Sequence, residues 1–355
     1  MSCTLLSMKR RVTLRDIARK AGVHYATVSR ALRKDPRIGK AMVAKIQALA
    51  QKLGYVPDPM LSGLSAYRSL KGMVGYQATL AWVTNAFTRD GWSTFGWSDF
   101  DIIRLYFQGA SERAAALGYR LEEFWLREPG MTPRRASQIL RTRGISGLIV
   151  SPQPKQKMRI RLDWENFSAV SMGYSLAWPR LHVVTNYQFQ SMMTTVRQVR
   201  AHGYRRIGLA INPNDERVDH GWTGGFLALQ QYWPAKDRIP IFSYVNFSPE
   251  RLEAWIQRYR PEAIVGYGSL VAQLEELGHR VPEEIGVATH SLGSVSEKCA
   301  GIDENARITG AQAVDLVVTM IHRGERGIPE FPQRILTEGS WREGETLKFR
   351  YRGAD

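Results

Sequence analysis

Acidic residues are nearly missing from the start of this chain. Residues 1–70 hold fourteen lysines and arginines against only Asp16, Asp35 and Asp58, so this fifth of a 355-residue protein carries +11 of its formal +16. The rest is close to balance, with 35 basic and 30 acidic residues. Such asymmetry points to a polyanion bound by one end. Cysteine is scarce as well: Cys3 and Cys299 lie far apart and make neither a disulfide framework nor a metal site. No apolar run approaches the length of a membrane span. The first eight residues are too short and uncharged for a secretory signal, so the expected compartment is the cytoplasm.

Catalytic signatures are missing too. There is no Gly-x-x-x-x-Gly-Lys-Ser/Thr, no His-Glu-x-x-His and no Gly-x-Ser-x-Gly. Gly266-Tyr267-Gly268 lacks the third glycine of a dinucleotide fingerprint and reads as a strand end. His182, His202 and His322 are scattered and read as surface or packing residues. The expectation is a protein that is not an enzyme and has no cofactor and no metal site.

The basic end does carry a pattern. Leu14, Ile17, Ala18 and Ala21 fall at i, i+3, i+4 and i+7, one apolar face of a short helix. Thr13 precedes that face with Asp16 three residues on, a variant of the capping box. Gly22 is placed for a left-handed turn. A second short helix follows, with Val28, Ala31 and Leu32 on one side and Tyr25, Ala26, Ser29 and Arg30 on the other. A third, over about residues 38–53, repeats Val43, Ile46, Ala50 and Leu53 on one face. Two short helices joined by a glycine turn make a helix-turn-helix, whose second helix can enter the DNA major groove. A membrane surface would also attract the charge, but these helices lack the broad Trp/Phe/Leu face that lies in lipid.

Residues 12–67 resemble the DNA-binding headpiece of the lactose/galactose-repressor family. The matching pieces are Val12-Thr-Leu-Arg-Asp-Ile-Ala, Ala21-Gly-Val, Thr27-Val-Ser-Arg and Leu53-Gly-Tyr-Val-Pro. The resemblance implies a homodimer on a palindromic operator in double-stranded DNA. Thr13, His24, Tyr25, Ala26, Thr27, Ser29 and Arg30 are the candidate DNA contacts, with His24 where the family usually has a serine cap. It also implies a hinge over residues 58–73, with Leu64 as a wedge pushed into the minor groove.

A chain of 355 residues needs two or three domains. From Val74 on, apolar runs at 78–83, 121–126, 147–151, 168–172, 206–211, 240–245, 262–267 and 285–289 read as strands. Amphipathic stretches near 100–118, 133–143, 188–202, 222–232, 249–258, 269–279 and 306–322 read as helices. Such alternation means parallel sheets covered by helices. The family resemblance continues more thinly here, in His202-Gly-Tyr-Arg-Arg-Ile-Gly and Val281-Pro-Glu-Glu-Ile-Gly-Val among others. It implies an α/β domain of periplasmic-binding-protein type for effector binding and dimerisation. The expected division is a headpiece at 10–57, a hinge at 58–73 and this domain at 74–355. Its two doubly wound subdomains would cover about 74–184 with 306–337, and about 187–302 with 339–355.

Ligands of such sheets bind at the carboxyl ends of the strands. There the sequence departs from the family. Trp222 stands where sugar-binding members carry an arginine, Gly268-Ser269 replaces Asn-Asp, and Thr289-His290-Ser291-Leu292 replaces Gly-Phe-Asp-Asp. Aromatics gather instead: Trp92, Phe95, Trp97, Tyr174, Trp222 and Tyr267. The candidate effector residues are Trp92, Trp97, Tyr174, Trp222, Ser269, His290 and Glu304. The expected function is an effector-responsive transcriptional regulator, a repressor, whose small-molecule effector is a carbohydrate or glycoside. The alternatives are a two-lobed small-molecule binding protein, or a regulator that lost its effector and answers to a protein partner.

Overall fold

A computed structural model of the chain describes residues 12–32, 38–53, 55, 78–89, 99–213, 218–293 and 298–350. Leu64 with its hinge, and Trp92, Phe95 and Trp97, lie outside them. Two units divide the chain, residues 1–75 with 318–325, and residues 76–317 with 326–355.

The first unit opens with three helices, α1 (Leu14–Ala21), α2 (Tyr25–Leu32) and α3 (Lys40–Leu53). Helix α1 starts where the sequence expects. The Asp16 amide donates to Thr13 Oγ1, and the Thr13 amide donates back to Asp16 Oδ2 at 2.9 Å, so two otherwise orphaned N–H groups are satisfied. Gly22 ends it at φ 70°, ψ 33°, the left-handed conformation that glycine adopts without a Cβ clash. The apolar faces meet in a core of Ile17, Ala18, Ala21, Val28, Ala31, Ile46 and Ala50. Small residues dominate it because short helices must approach closely to exclude water. Partly buried Val12, Val23, Val43, Leu53 and Tyr55 pack around it.

The second unit alternates strands and helices. Strands β1 (Ala78–Thr84), β2 (Tyr119–Trp125), β3 (Gly147–Val150), β5 (Ser168–Met172), β7 (His182–Asn186) and β13 (Arg334–Thr337) form one parallel sheet in the order β13-β7-β5-β3-β1-β2. A small pair, β4 (Met158–Arg159) and β6 (Leu176–Trp178), stands beside it. Strands β8 (Ile207–Ile211), β9 (Phe242–Ser243), β10 (Ala263–Gly266), β11 (Gly286–Thr289), β12 (Ala300–Asp303) and β14 (Ser340–Arg342) form the second sheet, in the order β14-β12-β11-β10-β8-β9. Among the described residues of this sheet, only β14 runs antiparallel to its neighbour.

The connecting helices are α4 (Asp99–Ala116), α5 (Pro133–Thr142), α6 (Gln188–Ala201), α7 (Gly221–Gln230), α8 (Pro249–Tyr259), α9 (Leu270–Glu276) and α10 (Ala306–Arg323). Each falls within a few residues of a helix read from the sequence. The central strands β1, β3, β5, β8, β10 and β11 are buried along nearly their whole length, which is why they stand out as continuous apolar runs. Strands β13 (Arg-Ile-Leu-Thr) and β14 (Ser-Trp-Arg) lie at sheet edges with half-exposed residues and show no such run.

In each sheet the chain reverses its direction of travel, at β1/β3 and at β8/β10. It passes from one sheet to the other between β7 and β8, between β12 and β13, and between β13 and β14. No helix among the described residues is long and apolar enough to cross a membrane.

Thr13→Ala removes the hydroxyl of the capping box. It is expected to cost the first unit about 1 kcal/mol, read as a lower midpoint in urea denaturation followed by circular dichroism. An unchanged midpoint would mean that water satisfies the start of α1 equally well.

Candidate functional site

On the first unit, α2 presents the candidate nucleic-acid interface. Val28 and Ala31 are sunk in the three-helix core, so the 3.6-residue period turns Tyr25 and Arg30 outward; Tyr25 is half exposed and Arg30 exposed. His24 is exposed just before the helix, and its carbonyl accepts from the amides of Thr27 at 2.9 Å and Val28 at 3.3 Å. Its ring lies 4.4 Å from that of Tyr25. Thr13 is exposed at the start of α1, and Thr27 is half buried. Ala26 and Ser29 lie on α2. A compact core that leaves a planar guanidinium and a phenol outward can offer both to base edges and phosphates.

On the second unit, a cleft opens at the carboxyl ends of both sheets, holding about 640 Å³ of space, open solvent included. The first lobe supplies Ile102, Ile103 and Tyr106 from α4, Pro152 and Gln153 after β3, Gly173 and Ser175 after β5, and Thr185 on β7. Gln188 stands at the start of α6. The second lobe supplies Val218, Trp222 on α7, and Ser291 after β11, and Glu304 lies at the second crossover. Strand ends beside the switch points therefore build the wall, as parallel sheets dictate.

Its polar groups are held by one another. The buried Gln153 amide donates to Ser151 O at 2.7 Å and accepts from Asn85 Nδ2 at 3.2 Å, and its backbone N–H donates to Ser175 Oγ at 2.7 Å. Arg127 Nε donates to Asn85 Oδ1 at 3.0 Å. This chain of bonds joins the ends of β1, β2, β3 and β5. Across the cleft, Ser291 Oγ donates to Glu304 Oε2 at 2.5 Å. Tyr106 Oη donates to Asn186 Oδ1, and Asn186 Nδ2 donates to the Glu304 carbonyl. Asn85, Gln153, Ser175, Thr185 and Gln188 were not sequence candidates. Lone polar residues at strand ends carry no pattern until the topology gathers them.

Trp222 lines the cleft, yet it is 94% buried within a core cluster that includes Phe226, Trp233 and Tyr267. It is held there because Gly225, three residues on, lets α7 lie against α6: a Cβ would meet Phe189 O at 2.5 Å. His290 packs on it with ring centroids 4.2 Å apart, and Tyr267 stands 4.9 Å from His290. The turn carrying His290 is tied by Thr289 Oγ1, which donates to Ser291 O at 2.8 Å. Trp222, His290 and Glu304 are thus gathered around Ser291.

Tyr174 is partly buried and stands in the chain between the wall residues Gly173 and Ser175 without lining the cleft itself, with the Arg334 guanidinium 5.0 Å from its ring centroid. Arg334 in turn reaches Asp219 of the second lobe at 3.6 Å. Burial pushes the Tyr174 phenol up, the nearby Arg334 charge opposing it. Ser269 is exposed at the start of α9, outside the wall. Among the described residues no group of His, Cys, Asp and Glu is placed to hold a metal ion.

Complete burial pushes the His290 imidazole down to about 3 from its usual 6.5. The unfolded chain therefore takes up a proton there as pH falls through 6.5, while the folded chain does not until about 3. The stability contribution is whole above pH 6.5 and is lost on acidification between those values, by about 1.4 kcal/mol per pH unit. His290→Phe is expected to flatten this limb when denaturation is measured between about pH 4 and pH 7. The same slope in the variant would show that the ring is protonated inside the fold.

Family models match both parts of the chain: bacterial regulatory proteins of the lacI family over residues 13–58, and a periplasmic binding protein-like domain over residues 196–347. The ribose operon repressor of Escherichia coli (strain K12) is 26% identical over 248 residues, covering 62% of this chain and 69% of that protein. Two solved structures share the fold. The transcriptional regulator CelR–cellobiose complex has 19% identity and a TM-score of 0.53, covering 95% of this chain and 100% of that one. The lac repressor dimer bound to operator and the anti-inducer ONPF has 18% identity and a TM-score of 0.52, covering 96% and 100%. With its lacI-family helix-turn-helix domain followed by a periplasmic-binding-protein-like domain, the chain is a DNA-binding regulator of the lacI family.

Proposed function

We propose that this protein is a transcriptional repressor that binds a palindromic operator as a homodimer and takes a small-molecule effector, a carbohydrate or glycoside, in the cleft of its second unit. The observation that carries the DNA-binding part is the outward face of α2, with Tyr25 and Arg30 exposed over a core that fixes their helix. The charge of +11 on residues 1–70 supports it. In this reading residues 10–57 are the headpiece, 58–73 the hinge with Leu64 as wedge, and 74–355 the effector and dimerisation domain. The protein acts by binding rather than catalysis, and its place of action is the cytoplasm.

The effector part rests on a cleft built from strand ends of two lobes that share three crossovers. A ligand touching Gln153 on one side and Trp222 on the other favours one angle between the lobes, so its binding energy differs between open and closed states. That difference couples the cleft to the operator. Typical couplings are about 1–3 kcal/mol and reciprocal. The CelR structure holds cellobiose and the lac repressor structure holds ONPF, which supports a carbohydrate-like ligand for the same fold.

Operator selection followed by titration at several salt concentrations tests the DNA-binding part. With about six to ten phosphates neutralised, log K against log salt is expected to fall with a slope of about −0.9 per phosphate contact. Arg30→Ala is expected to lose about 1–3 kcal/mol at one half-site position and relax the choice of base there. A slope near −1 on the selected operator would overturn the reading. Equal weakening on every sequence would assign Arg30 to phosphate alone.

A further inference from the structure

His290 is 0% exposed, and neither ring nitrogen has a hydrogen-bond partner. The indole nitrogen of Trp222 has none either. Buried polar groups in folded proteins are nearly always paired, because desolvating one without a partner is costly. A phenylalanine would fill a similar volume beside Trp222 and Tyr267 without that cost. The imidazole is therefore a burden on the fold at this position, and such burdens concentrate where a site needs them.

The position is a site. The next residue, Ser291, lies in the cleft wall and donates to Glu304. Trp222 lies in the same wall and against His290. The imidazole itself is not in the wall; it lies one ring behind it, packed on Trp222. We infer that His290 is the innermost recognition group of the cleft, reached past the Trp222 ring, and that its ligand is an uncharged molecule offering a hydroxyl that both donates and accepts there. This rests on the reading of the cleft as an effector site.

The chemistry selects the class. Burial keeps the imidazole neutral, with one N–H donor and one bare acceptor nitrogen, and the indole adds a donor. A phosphate or carboxylate only accepts and leaves the bare nitrogen unmet. An ammonium only donates and leaves both N–H groups unmet. A hydroxyl answers both kinds. Ile102, Ile103, Val218 and the Trp222 ring offer apolar surface for the body of such a molecule, as the C–H faces of a sugar ring require. Glu304 in the same wall sets a carboxyl group against an anion. A neutral glycoside fits this set of groups; a sugar phosphate or sugar acid offers the same hydroxyls but brings its own charge into a wall that holds Glu304.

The test compares the full-length chain with His290→Phe at neutral pH. Without ligand, the variant is expected to unfold at the same temperature as wild type or higher. Thermal shift and tryptophan fluorescence are then read with cellobiose, phenyl β-glucoside, glucose 6-phosphate and gluconate. A neutral sugar is expected to stabilise wild type while the phosphate and the acid do not, and His290→Phe is expected to bind that sugar roughly tenfold more weakly or worse. A less stable variant would overturn the inference by showing that His290 serves the core, for instance through a buried water. So would undiminished binding by His290→Phe, or binding of the anions as tightly as their neutral counterparts. No response of wild type to any of the four would count against the cleft as a sugar site. That failure differs from the others because it appears before the variant is compared.

Discussion

Asn186 is completely buried where the chain first leaves one sheet for the other. Its side-chain oxygen accepts from the Tyr106 hydroxyl, and its nitrogen donates to the Glu304 carbonyl and toward Thr309 Oγ1. One amide thus binds α4, the first crossover and the second. Asn305 repeats the device one step along: its side chain donates to the Glu338 carbonyl at 2.9 Å and Ser340 Oγ at 3.0 Å, fixing the second crossover to the third. Asn305 is left-handed at φ 53°, a conformation that asparagine tolerates better than most residues. Two buried or turn-bound amides therefore hold the three strands of chain between the lobes in one arrangement. The cleft inherits its shape from them, since Tyr106, Thr185, Gln188 and Glu304 all flank these bonds.

The two sides of the cleft differ in kind. On the first lobe a run of side-chain hydrogen bonds from Arg127 through Asn85 and Gln153 satisfies its own members, which fixes a wall with few groups left over. On the second lobe the wall is aromatic, and it backs onto nitrogens that the protein leaves unmet. Satisfied networks rigidify, whereas unmet ones lower stability. At the cleft, the unmet polar groups therefore lie on the second-lobe side, at and behind Trp222. Under the proposed reading of the cleft, a tryptophan where sugar-binding relatives carry an arginine offers a ligand a flat surface in place of a bidentate grip on its oxygens.

The helix-turn-helix follows another economy. Its core holds Ala18, Ala21, Ala31 and Ala50, so close approach of short helices takes the place of large buried side chains. That leaves little stability to spare, and single local features matter. The Thr13–Asp16 box at one end of α1 and Gly22 at the other set its length to 8 residues. Helix α2 and the residue before it then present His24, Tyr25 and Arg30 to solvent. Positive charge is dense on this unit, outside its small apolar core, as a DNA-binding domain requires.

Local chemistry made the helix-turn-helix legible in the sequence, since capping, glycine turns and i, i+3, i+4 spacing act within a few residues. Most strands of the sheet centres were legible because burial on both faces forces continuous apolar runs, as in Leu80–Val83 and Ile264–Val265, but the interior strands β7 (His-Val-Val-Thr-Asn) and β12 (Ala-Gly-Ile-Asp) were not, because polar or small residues interrupt them. Edge strands β13 and β14 were not, because half-exposed pairing asks for no such run. Of the residues that line the cleft, the sequence singled out Trp222, through an altered motif, and Glu304, through its place at a crossover, whereas His290, flagged by the same kind of alteration, lies behind the wall. Asn85, Gln153, Ser175, Gln188 and Asn186 carry no local signal; strand order and the three crossovers bring them together across up to more than 100 positions of chain. The sequence by itself determined which segments form helices and most of the central strands and where the charge lies, because those depend on neighbours in the chain. Only the tertiary structure decided that His290 lies unpaired behind Trp222 and that Asn186 holds the crossovers, because burial and hydrogen-bond satisfaction depend on neighbours in space.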